Sequence, residues 1–159
     1  MATQYTAGLT TGQVLTAAIM NQIGAAWETY TPVLDWSGGG GSLGNATISG
    51  RYARIQKIVV GHIYFKAGST TTYGTGNIRF TLPITGSGTA TNAYAPIGFG
   101  YLIDANVTTA YTIVGDRKNT ADKIGGRVSA GNFGDVTNTQ PFTWTTNDEF
   151  LMEFMYEAE

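Results

Sequence analysis

The clearest alternation of apolar and polar positions lies at the C-terminal end. From Asn147-Asp148 onward, Phe150, Met152, Phe154 and Tyr156 fall on one side of an extended chain, and Leu151, Glu153, Met155 and Glu157 on the other. Successive side chains of a strand point to opposite faces, so the pattern predicts a strand with one face in a core. Ile58 to Ala67 alternates as well, with Val59, Ile63 and Phe65 on one side and Ile58, Val60, His62 and Tyr64 on the other. Both sides are fairly apolar there, as in a strand held between two layers. Arg51 to Ile55 is predicted to be its partner across Gln56-Lys57. Ile78, Phe80 and Leu82 alternate with Arg79 and Thr81 until Pro83 stops the run. Val33 to Trp36, Tyr94 to Asp104, Thr109 to Val114 and a short Arg127 to Ala130 read as extended too. Gly98 and Gly100, inside the Tyr94 to Asp104 run, predict a bulge or a close approach by another backbone.

Only the N-terminal segment changes period. Leu15, Ile19, Ile23 and Trp27 recur every fourth residue, with Ala18 and Ala26 alongside. That spacing predicts one face of an amphipathic helix over 16–27, with Thr16 as its N-cap. Such a helix is about 18 Å long and marginal alone in water, so its apolar stripe needs a surface to dock on. Thr31-Pro32 ends it, because the residue before proline is pushed into extended geometry. The predicted organisation is an N-terminal arm, 1–30, followed by a β domain, 31–159. Several short strands, Gly/Thr/Asn turns and no second helix make the class all-β: an antiparallel, jelly-roll-like sandwich with a short N-terminal helix. Gly38 to Ser42 is expected to be a flexible loop.

Composition narrows the function. The chain has 159 residues, which favours one domain. Charged residues are 13%, about half the usual share, and Gly, Thr, Ser and Asn take their place. Sheets so poor in Lys and Glu have little to keep their edges from pairing, which points to obligate assembly. A net charge of -2 excludes a broad cationic footprint for nucleic acid. The absence of Cys removes disulfides, thiolate nucleophiles and Cys-ligated zinc, and a single His removes any multi-His metal centre. No apolar run is long enough to span a membrane, and the N-terminus lacks the basic-then-apolar pattern of a signal peptide.

Candidate chemistry is sparse. His62 sits inside a strand pattern, where a structural role outweighs general-base work. Asp35, Asp104, Asp116, Asp122, Asp135 and Asp148 are scattered over predicted strand ends and turns, where Asp caps or turns the backbone. Nothing points to the convergent carboxylate pair that glycoside cleavage needs. Gly38 to Gly44 lacks the Gly-Lys-Ser/Thr of a phosphate loop. Arg51-Tyr52-Ala53-Arg54 pairs cations with an aromatic, though hydrogen-bond donors at a strand end explain both arginines more simply. Tyr73, Tyr101, Tyr111 and Trp144 are candidate ligand-contact aromatics by residue type, able to stack on sugar rings, with packing in the core as the alternative. No cofactor is expected.

A set of motifs carries a resemblance. Leu15-Thr16-Ala17-Ala18-Ile19-Met20-Asn21-Gln22-Ile23-Gly24 precedes Trp27-Glu28-Thr29-Tyr30-Thr31-Pro32. Gly50-Arg51-Tyr52-Ala53-Arg54-Ile55-Gln56-Lys57 and Phe80-Thr81-Leu82-Pro83 follow. Phe142-Thr143-Trp144-Thr145-Thr146-Asn147-Asp148 and Tyr156-Glu157-Ala158 close the chain. In their order and spacing these resemble a family of small tailed-bacteriophage virion proteins, whose usual turn Gly is Gln56 here. The resemblance implies a non-enzymatic jelly roll that assembles as a homotrimer on the particle exterior, made in the host cytoplasm without a signal peptide. The expected partners are further copies of itself and the major capsid or tail proteins, without nucleic acid or membrane insertion. The favoured expectation is a capsid decoration protein, with Leu15, Ile19, Ile23 and Trp27 as the attachment or oligomer helix. A minor tail or receptor-binding protein touching host surface glycan is the alternative, and a glycan-cleaving enzyme is the least supported.

Overall fold

The computed structural model describes Val14, Thr16 and residues 26–87, 95–117, 120–128 and 134–159. Ten strands occupy them, all paired antiparallel. They are β1 (Glu28–Tyr30), β2 (Leu34–Trp36), β3 (Thr47–Ile55), β4 (Ile58–Lys66) and β5 (Ile78–Thr81). After these come β6 (Pro96–Asp104), β7 (Thr109–Asp116), β8 (Lys123–Val128), β9 (Gly134–Asp135) and β10 (Glu149–Glu157). Hydrogen bonding runs through a single sheet in the order β1-β3-β4-β10-β6-β7-β8-β5-β2, with β9 beside β8.

That order dictates the shape. β1 and β2 are consecutive in the chain yet lie on opposite edges of the sheet. Laid flat, the strand spacings between them would separate the edges by roughly 38 Å. Only Thr31, Pro32 and Val33 join Tyr30 to Leu34, and that stretch reaches at most about 14 Å. The sheet therefore has to curl until its edges approach, giving an antiparallel half-barrel. The crossing chain is tied down where the Thr81 N–H donates to the Val33 carbonyl at 3.1 Å and the Val33 N–H donates to Thr81 Oγ1 at 2.9 Å.

The core fills the concave side. It takes the inward residues of each strand: Val59, Ile63 and Phe65 from β4, Ile78 and Phe80 from β5, and Phe150, Met152, Phe154 and Tyr156 from β10. Leu102, Ile113, Ile124 and Val128 complete it from β6, β7 and β8. Phe80 and Phe150 rings meet at 4.6 Å between centroids, and Phe65 lies 5.7 Å from Phe80. Two glycines on β6 make room for the strand beside it. A side chain at Gly100 would run into the Leu151 carbonyl, and one at Gly98 into the Glu153 carbonyl. The register shifts between Pro96 and Gly98, the irregularity that glycines in this run predict.

Several sequence expectations are revised. β1 was not expected, and β3 starts at Thr47 rather than Arg51. β8 runs from Lys123 to Val128, ahead of the predicted Arg127 to Ala130, whose last two residues lie outside the described ones. The predicted helix over 16–27, with Leu15, Ile19 and Ile23, lies outside the described residues but for Thr16, Ala26 and Trp27. The Gly38 to Ser42 run is not a loose loop. Ser42 and Thr72 exchange backbone hydrogen bonds at 3.0 Å, and the Thr75 N–H donates to the Gly39 carbonyl at 3.0 Å. Gly39, Gly40 and Gly41 all have φ between 76° and 82°, so they supply the left-handed backbone that lets the chain lie against 72–75.

Candidate functional site

The candidate aromatics separate into two environments. Trp144 is 2% exposed, and its Nε1–H donates to the Thr137 carbonyl at 3.0 Å. Its ring packs on Phe142, Phe65 and Tyr73, at centroid distances of 5.3, 6.0 and 6.5 Å. Tyr111 joins the same cluster through Phe142 at 5.5 Å. Tyr73, Tyr111 and Trp144 thus form one end of the core, and Trp144 offers no ring face to solvent. Burial pushes the Tyr73 phenol pKa up, with the Asp148 charge acting in the same direction. Tyr101 alone of the four stands outward, 52% exposed on β6.

Tyr101 belongs to a larger surface. The outward residues of β3, β4, β10, β6 and β7 line up in rows across the sheet. One row runs Arg51, His62, Glu153, Phe99, Val114, and the next runs Ser49, Tyr64, Leu151, Tyr101, Thr112. Val60 and Met155 are paired in the row beyond, and Ile55 and Ile58 end the β3–β4 hairpin. Phe99 is 62% and Met155 63% exposed, and Trp27, Ile55, Ile58 and Tyr101 are about half exposed. Most of the large exposed hydrophobics among the described residues therefore share this one outer face.

Trp27 enters the face just before β1. Its ring lies 5.8 Å from that of His62, and the Arg51 guanidinium sits 5.8 Å from its centroid. A groove of about 630 Å³ opens beside it over Val60, His62, Phe99, Glu153 and Met155. A second, of about 320 Å³, continues over Tyr64, Tyr101 and Leu151. His62 is therefore neither in the core nor between two layers; it stands on an outer surface opposite Glu153.

The other flank of the convex surface is ionic. Asp35 on β2 pairs with Arg79 on β5 and with Lys123 on β8 at 3.3 Å. Arg127 on β8 pairs with Asp116 at 2.7 Å and Asp135 at 3.2 Å, and the Asp116 side chain is 1% exposed. These carboxylates do more than cap turns. Asp104 and Asp148 do cap: Asp104 accepts from the Asn106 N–H, and Asp148 from the backbone N–H groups of Ala105 and Thr145. Among the described residues, no three His, Asp or Glu side chains converge as a metal-binding group would.

Sequence reasoning placed Met155 on the face away from the core but missed Phe99 as a surface feature, although a signal was present. In β6 the inward positions Gly98 and Gly100 are smaller than the outward Phe99 and Tyr101, which inverts the usual pattern. Glycines sit inside because the Leu151 and Glu153 carbonyls of the neighbouring strand come too close to admit a side chain there. The aromatic bulk is left on the outside. This face presents apolar area together with the charges of Arg51 and Glu153. In comparisons with known proteins, no protein-family model, no curated protein and no solved structure matches this chain.

Proposed function

We propose that this chain is a non-enzymatic virion structural protein of a tailed bacteriophage. In this reading it decorates the capsid exterior as a homotrimer anchored by its N-terminal arm, 1–30. The observation that carries the proposal is the concentration of exposed apolar side chains, Phe99, Tyr101, Met155, Ile55 and Ile58, on one outer face of a protein with few charges. Soluble proteins rarely leave such a patch open unless a partner covers it. The motifs that resemble those of small phage virion proteins support a place on the particle, and the uncharged segment before Glu28, carrying Leu15, Ile19 and Ile23, is the proposed anchor. The finer description of the fold as jelly-roll-like belongs to the same proposal. Its support is the short crossing from β1 at one sheet edge to β2 at the other, a link of the kind that joins the two halves of a sandwich.

Copy number on purified particles tests this reading. Hundreds of copies per particle are expected, and absence from every particle fraction overturns it. A second reading, a minor tail protein that contacts host glycan, draws on the exposed Tyr101 ring beside Phe99. A few copies per particle, with glycan-array binding lost in Tyr101→Ala, would select that alternative.

A further inference from the structure

We infer that the outer face of β4, β10 and β6 is where copies of this chain bind one another, with Phe99 and Met155 central and Arg51 of one copy paired with Glu153 of the next. This rests on the reading of the protein as a self-assembling virion component and names the surface responsible.

The charges favour one occupant. Several others on the sheet are matched internally: Asp35 with Arg79 and Lys123, Asp116 and Asp135 with Arg127, Lys66 with Glu149. Arg51 and Glu153 have no ion-pair partner among the described residues, and both belong to the row that crosses the apolar face. They lie two strands apart, about 10 Å, and the Arg51 guanidinium is turned onto Trp27 instead. Around a threefold axis, one neighbouring copy brings its Glu153 to Arg51 and the other brings its Arg51 to Glu153, so each charge finds its opposite. Around them, the groove over Val60 and His62 accepts a projecting neighbour such as Phe99 or Met155. Arg51 on the β3 flank and Glu153 on β10 thus meet different neighbours, a head-to-tail contact of the kind that closes into a ring when the rotation permits.

The test uses the full chain, with native mass spectrometry and sedimentation over a range of concentrations. The wild type is expected to be trimeric. Phe99→Asp combined with Met155→Asp should weaken association at least about tenfold, since central apolar anchors dominate interface energy. Both sites are exposed, so circular dichroism should be unchanged. Glu153→Arg should weaken association on its own, and adding Arg51→Glu should restore it to within about threefold of wild type, the signature of a direct charge pair. If the aspartate pair fails to fold, this charge swap decides alone. A wild-type trimer that is indifferent to all these changes places the contact elsewhere and overturns the inference, while the virion reading stands on copy number. A wild type that stays monomeric overturns the inference as well. So does a monomer whose Met155 is shielded from labelling, which would assign the face to the chain's own N-terminal segment.

Discussion

Two parts of the same convex surface are built on opposite plans. Over β2, β5 and β8, outward Asp35 pairs with Arg79 and Lys123, and Arg127 pairs with Asp116 and Asp135. Over β4, β10 and β6, outward Phe99, Tyr101 and Met155 are exposed, and Glu153 lacks an ion-pair partner among the described residues. Both regions alternate with period two, so strand propensity does not separate them. What differs is the residue that the neighbouring strand sets opposite each position, which is the unit of sheet stabilisation. The ionic flank is complete within one chain. The apolar flank leaves area and charge to be matched by something else.

The comparison is most easily broken at the aromatics, where the effects are largest. Trp144→Ala should cost about 3–5 kcal/mol by opening a cavity in the core, whereas Tyr101→Ala should stay within about 0.5 kcal/mol, as exposed positions do. Urea denaturation of the two variants checks this, and equal losses would mean that the buried and surface assignments are mistaken. Next in size is the ionic flank. Asp116→Ala removes a buried carboxylate from Arg127 and should lower stability by about 2–3 kcal/mol. A loss no greater than that of an exposed alanine substitution would show that the flank is not held by its own pairs.

Alkaline pH separates the interior from both flanks. Burial is the main reason the Tyr156 phenol is pushed up to about 12, and burial raises Tyr30 still further. The unfolded chain releases these protons from about pH 10, the ordinary tyrosine value. Stability from the retained protons is therefore full below about pH 10 and lost as pH rises through about 12. Tyr156→Phe should flatten that loss in thermal melts taken across the window. The smallest effect is at the hairpin beneath the apolar face. Gln56 has φ of 54° in a two-residue loop that favours glycine, and Arg54 Nε holds its carbonyl at 2.6 Å. Gln56→Gly should raise stability by up to about 1 kcal/mol, the left-handed penalty less the glycine entropy cost. No gain in the melting midpoint would mean that the loop is not strained there.

Much of the β body is legible along the chain because a strand's faces follow from parity alone. The inward set of β10, from Phe150 to Tyr156, and that of β4, from Val59 to Phe65, are as expected. The termination of β5 before Pro83 follows from a missing N–H. The short β1 and β9 escape a pattern reading because two or three residues carry no period. The Gly38 to Ser42 run misleads for a different reason: glycine signals permission, and whether that permission is used for freedom or for a close turn depends on Thr72 and Thr75 across the gap. The candidate aromatics could not be sorted by type. Trp144 and Tyr101 are equally suited to stacking, and only the fold puts one beneath Phe65 and the other on the outside.

What the sequence determined by itself is local: the period-two strands, their turns, the sparse charge, and the lack of thiol and multi-histidine chemistry. These depend on near neighbours and residue type. The closing of the sheet, the pairing of Asp35 with Arg79, and the assembly of Phe99, Met155 and Glu153 into one face were decided by strand order. Strand order joins residues far apart in the chain, and the same alternating pattern fits many orders. A side chain's neighbours across the sheet, and with them its function, are fixed only when one of those orders is chosen.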